Sequence, residues 1–374
     1  MTSNPQPLAP WLARQLIDLL ARRGHAWLLQ GPSGLGQFEL GLALARAWLC
    51  EAPTLPAARG SLPPEGALAA LRRPGGGSEA HTPKGACGAC TSCHAIDVHT
   101  HADFAALMPE SDLLARGWPL DEEAQSELDD KKRKPGKEIR VNAMRAVIEF
   151  TQRTSARGRG KAVLIYPAER MNAVTANALL KTLEEPPGDV RFVLASDAAH
   201  ALLPTLRSRC QTHTMIWPDT NEALAWLAGQ GVPADAALAL LNAAGGRPEA
   251  ALALAQSASG AHDAAQAWAG LPKTLVRGGA AAVAAVADLP APELIARLQK
   301  LCHDLMAAQT GAAPRFFTAA DLPRLPVNAR QMQLLARWAK QLAREARVAE
   351  HPFNAGLTAE ALVGSARIAL NSQY

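Results

Sequence analysis

Eight residues constrain this chain more than any others: Gly31-Pro32-Ser33-Gly34-Leu35-Gly36-Gln37-Phe38. Before them, Ala26-Trp27-Leu28-Leu29-Gln30 is a short apolar run that reads as a buried strand. After them, Leu40, Leu44 and Trp48 recur at four-residue spacing, which reads as one face of a helix. A glycine loop between a strand and a helix is the context of the phosphate-binding pattern G-x-x-x-x-G-K-[ST]. Gly31 and Gly36 stand at the pattern's two ends and Gly34 lies between them. The two residues that handle charge are replaced. Gln37 stands where a lysine neutralises terminal phosphates, and Phe38 where a hydroxyl holds Mg²⁺. A neutral amide supplies no cation, and a phenyl ring cannot ligate a hard ion that takes oxygen. Backbone N–H groups at the helix start still favour an anion. The loop is therefore expected to bind nucleotide weakly or not at all, and not to hydrolyse it.

A second position agrees. Ala162-Val163-Leu164-Ile165-Tyr166 is the most strand-like run in the chain, and an acidic pair is needed after such a strand for Mg²⁺ and water. Tyr166 and Pro167 stand there instead, with Glu169 a few residues beyond. Arg191-Phe192-Val193-Leu194-Ala195-Ser196 reads as a further strand. Between the two lies a helix that Asn172 caps and Pro186-Pro187 stop. Alternating strands and helices predict an α/β fold with a parallel sheet covered on both faces. After about residue 217 the strands cease. Leu294, Leu298, Leu301 and Leu305 form one helical stripe, and Met332, Leu335, Trp338 and Leu342 another, both read as core. Residues 51–86, rich in Pro, Gly and Ala, and the charged residues 109–138 interrupt the pattern and read as surface insertions without fixed structure.

The 374 residues suffice for two or three domains, and net charge is only +4. The basic run Lys131-Lys132-Arg133-Lys134 follows Asp129-Asp130, so it reads as a solvated loop more readily than as a nucleic-acid contact. No stretch approaches the roughly 20 apolar residues that span a bilayer, and Met1 to Pro10 lacks a basic, apolar leader. The expectation is a soluble, cytoplasmic protein. In that compartment Cys87, Cys90 and Cys93, at two-residue gaps, suggest a metal before a disulfide. Structural zinc takes four ligands, so a fourth is needed. His94, His99 and His101 lie close in sequence. Cys210 and Cys302 read as buried small apolar groups.

Four segments carry a family resemblance: Gly31 to Phe38; Asn177-Ala178-Leu179-Leu180-Lys181-Thr182-Leu183-Glu184-Glu185-Pro186-Pro187; Leu206-Arg207-Ser208-Arg209-Cys210; and Glu350-His351-Pro352-Phe353-Asn354-Ala355-Gly356-Leu357. They resemble the AAA+ clamp loaders of bacterial DNA polymerase III, and most of all their delta-prime branch. The resemblance implies an AAA+ P-loop-type domain over 1–216, a small helical lid domain over 217–258 and an all-α collar domain over 259–374. It implies a non-catalytic, stator-like subunit that helps load the sliding clamp onto primer-template DNA, with gamma or tau ATPase subunits and the delta subunit as partners. It also implies that Arg209, in the Ser-Arg-Cys motif, reaches a neighbouring subunit's nucleotide as an arginine finger, with Arg207 near enough to share the role.

The same resemblance places the fourth zinc ligand at the end of the helix after the loop, where Cys50 stands, giving Cys50, Cys87, Cys90 and Cys93. The gap from Cys50 to Cys87 is long, 36 residues against about eight. The extra closure entropy is only ~1.3 kcal/mol, against on the order of 10 kcal/mol from structural zinc. Two other readings compete. An active gamma- or tau-like ATPase needs the cation that Gln37 lacks. A zinc-dependent nucleic-acid-binding module needs a basic surface that the interleaved charges do not suggest.

Overall fold

Runs of apolar residues without polar alternation suit strands that are covered on both faces. In the computed structural model five strands form: β1 (Ala26–Gln30), β2 (Phe104–Leu107), β3 (Lys161–Ile165), β4 (Val190–Ser196) and β5 (Gln211–Thr214). The described residues are 8–53, 85–120, 122–130, 133–257, 260–349, 351 and 354–371. They fall in two compact units, Met1–Trp217 and Pro218–Tyr374.

The first unit holds the sheet, in the order β2-β3-β4-β1-β5 with every pairing parallel. Ala26 pairs with Phe192, and Val163 with Phe192 from the other side. Parallel neighbours require crossover connections. α1 (Pro10–Leu20) precedes β1, and the connections carry α2 (Gln37–Leu49), α3 (Thr91–Asp97), α4 (Glu110–Ala115), α5 (Glu122–Asp129), α6 (Val141–Gln152), α7 (Ala173–Glu184) and the short α8 (Pro204–Arg207). One core joins Leu28, Val163, Ile165, Phe192 and Leu194 to Met144 and Val147 of α6 and Leu179 and Leu183 of α7. On the opposite face α2 lies tight against the sheet at Gly41. A Cβ there would stand 2.6 Å from Leu164 Cδ1 and 3.2 Å from Val193 Cγ1. The expected cap of α7 is present: the Asn172 side chain accepts from the Thr175 N–H at 2.9 Å.

The second unit is helical among the described residues, with α9 (Thr220–Gly229), α10 (Ala234–Ala243), α11 (Pro248–Ala255), α12 (Gly260–Arg277), α13 (Gly279–Ala284), α14 (Ala291–Gln309), α15 (Ala329–Ala346) and α16 (Ala355–Leu370). Leu227, Leu240 and Leu241 centre one apolar cluster. The stripes read from sequence centre another: Leu294, Leu298, Leu301 and Leu305 of α14 meet Leu335, Trp338 and Leu342 of α15. Met332, read into the same stripe, is only half-buried and is not among the residues of that cluster. Cys302 is buried there, whereas Cys210 is only partly buried against the sheet core. None of the described helices is long and apolar enough to cross a membrane.

The fold class read from sequence holds: an α/β unit with a parallel sheet precedes an all-α unit. Two corrections concern particular segments. β2 and β5 were not expected, and both are sheet edges. Residues 109–138, expected to lack fixed structure, carry α4 and α5, and Arg116 and Trp118 between these helices reach Phe38; Arg133 of the basic run is bound to Glu110 and Glu127. The other insertion, 51–86, lies outside the described residues except at 51–53 and 85–86, as do Lys131 and Lys132.

Candidate functional site

Parallel strands bring their C-terminal ends to one edge, and three of them build the site there: the loop after β1, Tyr166 after β3 and Asp197 after β4. Gly36 caps α2 in the left-handed region, at φ 93°, where a side chain would be strained. This turn drives Gln37 inward. Its side chain is buried, and its Nε2 donates to Gly31 O at 2.7 Å, Pro32 O at 3.0 Å and Asp197 Oδ1 at 3.1 Å. The amide that stands in the lysine position therefore closes the loop on itself. Gly31 sits against Met215, where a Cβ would approach to 2.9 Å. Gly34 lies at the tip with φ 87°.

Acidic and aromatic groups complete this edge. Tyr166 donates its hydroxyl to Asp197 Oδ2 at 3.2 Å. Glu169 accepts from Ser196 Oγ at 2.8 Å and from the Asp197 N–H at 3.1 Å, so the acid that sequence left a few residues beyond the strand is spent on β4. Burial first, then the Glu169 charge, push Asp197 up to about 6. Phe38 is buried, its ring centroid 5.5 Å from that of Tyr166 and 6.2 Å, edge-on, from that of Trp118. The Arg116 guanidinium lies 4.0 Å from the Phe38 centroid and 5.1 Å from that of Tyr166, and it pairs with Glu39 at 3.1 Å. Sequence reasoning missed Asp197, Arg116 and Trp118. The last two lie in the insertion, far along the chain from the loop that they cover.

A second site lies at the other end of α2. Cys50 caps that helix, Cys90 caps α3, and Cys87 and Cys93 flank Cys90. The four sulfurs lie within 4.8 Å of one another, with Cys50 and Cys90 Sγ 3.8 Å apart. That spacing is too long for a disulfide of about 2.05 Å. It matches the ~3.8 Å between thiolates held tetrahedrally at Zn–S ~2.3 Å. Backbone N–H groups point at the sulfurs: Cys87 N to Cys50 Sγ at 3.3 Å, Cys90 N to Cys87 Sγ at 3.3 Å and Cys93 N to Cys90 Sγ at 3.5 Å. Burial opposes charge on Cys90, but N–H donation from Cys93 and Glu51 outweighs it and lowers the thiol to about 6. Burial raises Cys93. None of the three histidines joins the cluster. His101 uses both ring nitrogens, on Ser92 Oγ and the Asp103 N–H, each at 3.0 Å. His99 stacks on Trp118 at 3.8 Å and 20°. The donor set fits a structural zinc ion held by Cys50, Cys87, Cys90 and Cys93.

Arg209 follows α8, partly exposed. Its guanidinium donates to Thr205 O at 2.7 Å and is paired with Glu184 at the end of α7. Arg207 is exposed beside it. Arg209 thus lies remote in sequence from the glycine loop and ties two of the four resembling segments together.

Residues 77–216 match the family model described as "DNA polymerase III, delta subunit". The DNA polymerase III subunit delta' of Pseudomonas aeruginosa is 34% identical over 208 residues, 56% of this chain and 48% of that protein. Its counterpart in Escherichia coli is 31% identical over 224 residues, 59% of this chain and 52% of that protein. The chain thus spans about half the length of the curated relatives it matches. A solved gamma subunit-related protein of DNA polymerase III from Thermotoga maritima aligns over 95% of this chain and 98% of its own, with 15% identity and a TM-score of 0.49.

Proposed function

We propose, for a chain that belongs with the delta-prime subunits of DNA polymerase III, that it is a clamp-loader subunit without ATPase chemistry of its own. In this reading it helps partner subunits, gamma or tau and delta, load a sliding clamp onto primed DNA in the cytoplasm. Residues 1–216 form its AAA+ domain, 217–258 a lid and 259–374 a collar. One observation carries the reading: the Gln37 amide is consumed by Gly31 O, Pro32 O and Asp197, and Phe38 is buried beside it. Gln37 has no cation to offer a phosphate, and Phe38 has no hydroxyl to offer Mg²⁺. The gamma- or tau-like reading requires both.

Arg209 is the part that serves a neighbour. A guanidinium brought to a terminal phosphate stabilises the charge of the transition state, an effect of ~10³–10⁵ in rate. Its partly exposed setting just after α8 leaves it able to exchange Glu184 for such a phosphate. Zinc, held by Cys50, Cys87, Cys90 and Cys93, is a structural ion that fixes α2 against α3.

The test is to purify the chain alone and with the ATPase and delta subunits, measuring ATP turnover on both samples. Background turnover from the chain alone, with co-purification and clamp loading by the complex, is the expected result. Turnover by the isolated chain above background overturns the reading.

A further inference from the structure

The glycine loop and the cysteine cluster lie at opposite ends of α2, about 18 Å apart at 1.5 Å per residue. A chain of contacts joins them a second way. From the cluster, α3 runs back along α2, tied to it by Arg46 and Asp97 at 3.0 Å. Just past α3, His99 takes a left-handed turn, φ 60°, and lays its ring on Trp118. Trp118 then meets Phe38, the second residue of α2, and Arg116 covers Phe38 and Tyr166 while pairing with Glu39. The covering residues come from 109–120, which sequence alone assigned to a loose surface insertion.

We propose that residues 109–120 are a resident cap on the vestigial phosphate loop, and that the cysteine cluster holds this cap in place through the His99–Trp118 stack. The cap puts an arginine over the two aromatic residues that replaced the metal-handling groups. Its own charge is balanced by Glu39, so the edge is filled from within the chain. The cluster then does more than fix α3 locally: it sets where His99 stands, and His99 sets where Trp118 stands. The link from cluster to cap rests on the proposed zinc, while the stack itself does not.

Hydrogen exchange on the full chain, with zinc content measured on each sample, tests this. His99→Asn keeps a residue that tolerates the left-handed turn and removes the ring; Trp118→Leu removes the other half of the stack. Both variants should retain zinc, yet amides of 110–118 should exchange about three- to tenfold faster, the size of one aromatic contact. The double variant should exchange no faster than Trp118→Leu alone, which also loses the Phe38 contact. Removing zinc from the parent with a chelator should accelerate the same amides while those of β3 and β4 stay slow. Parent-like exchange at 110–118 in His99→Asn and Trp118→Leu overturns the cap. Parent-like exchange there after zinc is stripped overturns the link to the cluster. A parent chain that purifies without zinc counts against the metal, and the cap is then judged on the two variants.

Discussion

Asp197 receives a hydrogen bond from Gln37 on one oxygen and from Tyr166 on the other, yet burial and Glu169 still raise it to about 6 from 3.8. The folded chain therefore holds a proton that the unfolded chain has released between those values. Where the folded state binds more protons, stability falls as pH rises. The contribution is fully present below about pH 4 and is lost by about pH 6, at most about 3 kcal/mol. Asp197→Asn should remove this fall, which denaturant titrations at pH 4, 5, 6 and 7 would register as a flatter profile than the parent's. A parallel profile would mean that Asp197 ionises normally. At Arg209 the consequence is functional. Arg209→Ala should leave assembly intact and lower the complex's ATPase by ~10³–10⁵ at the served site. Glu184→Gln should cost below about 1 kcal/mol, because the pair is solvent-accessible. A variant complex that hydrolyses ATP and loads clamps at the parent rate removes Arg209 from the chemistry.

Individual elements were legible in proportion to how local their causes are. Asn172 and Pro186 bracket α7 within the helix's own sequence, and Asn172→Ala should cost about 1 kcal/mol of stability, readable from a shift in the urea midpoint. β1, β3 and β4 announced themselves because central parallel strands are apolar throughout. β5, Gln211–Thr214, did not: it is an edge strand with only His213 buried, so its polar residues follow no apolar run. β2 is also an edge, and four residues long. Cys87, Cys90 and Cys93 were legible as a cluster because two-residue gaps are a local pattern, whereas Cys50 depended on family resemblance until the fold brought α2's end beside α3. Arg116 and Trp118 carry no local periodicity at all. Their partners Phe38 and His99 lie elsewhere in the chain, and only the sheet's topology unites them. For the cysteines the expected outcome is sharp: Cys87→Ser should lose zinc from the purified chain, while Cys210→Ser, outside the cluster, should keep it. Equal zinc in both would break the four-ligand assignment.

At the scale of the whole molecule, the sheet unit and the helical unit each carry their own apolar cores. A unit with its own core can unfold as its own cooperative step. The cysteine cluster lies in the first unit, and the Leu298 side chain is fully buried in the second. Two perturbations can therefore be aimed separately. Leu298→Ala leaves a cavity in the α14–α15 core worth about 2–5 kcal/mol, or roughly 5–15 °C in a unit of this size. Zinc removal takes away metal binding energy that exists only in the folded first unit. Calorimetry on the full chain should then resolve two transitions. Leu298→Ala should lower one, a chelator should lower the other, and each should leave its neighbour within about 2 °C. If both perturbations instead move a single transition, the two cores melt together, and the 1–217 and 218–374 units are one thermodynamic body.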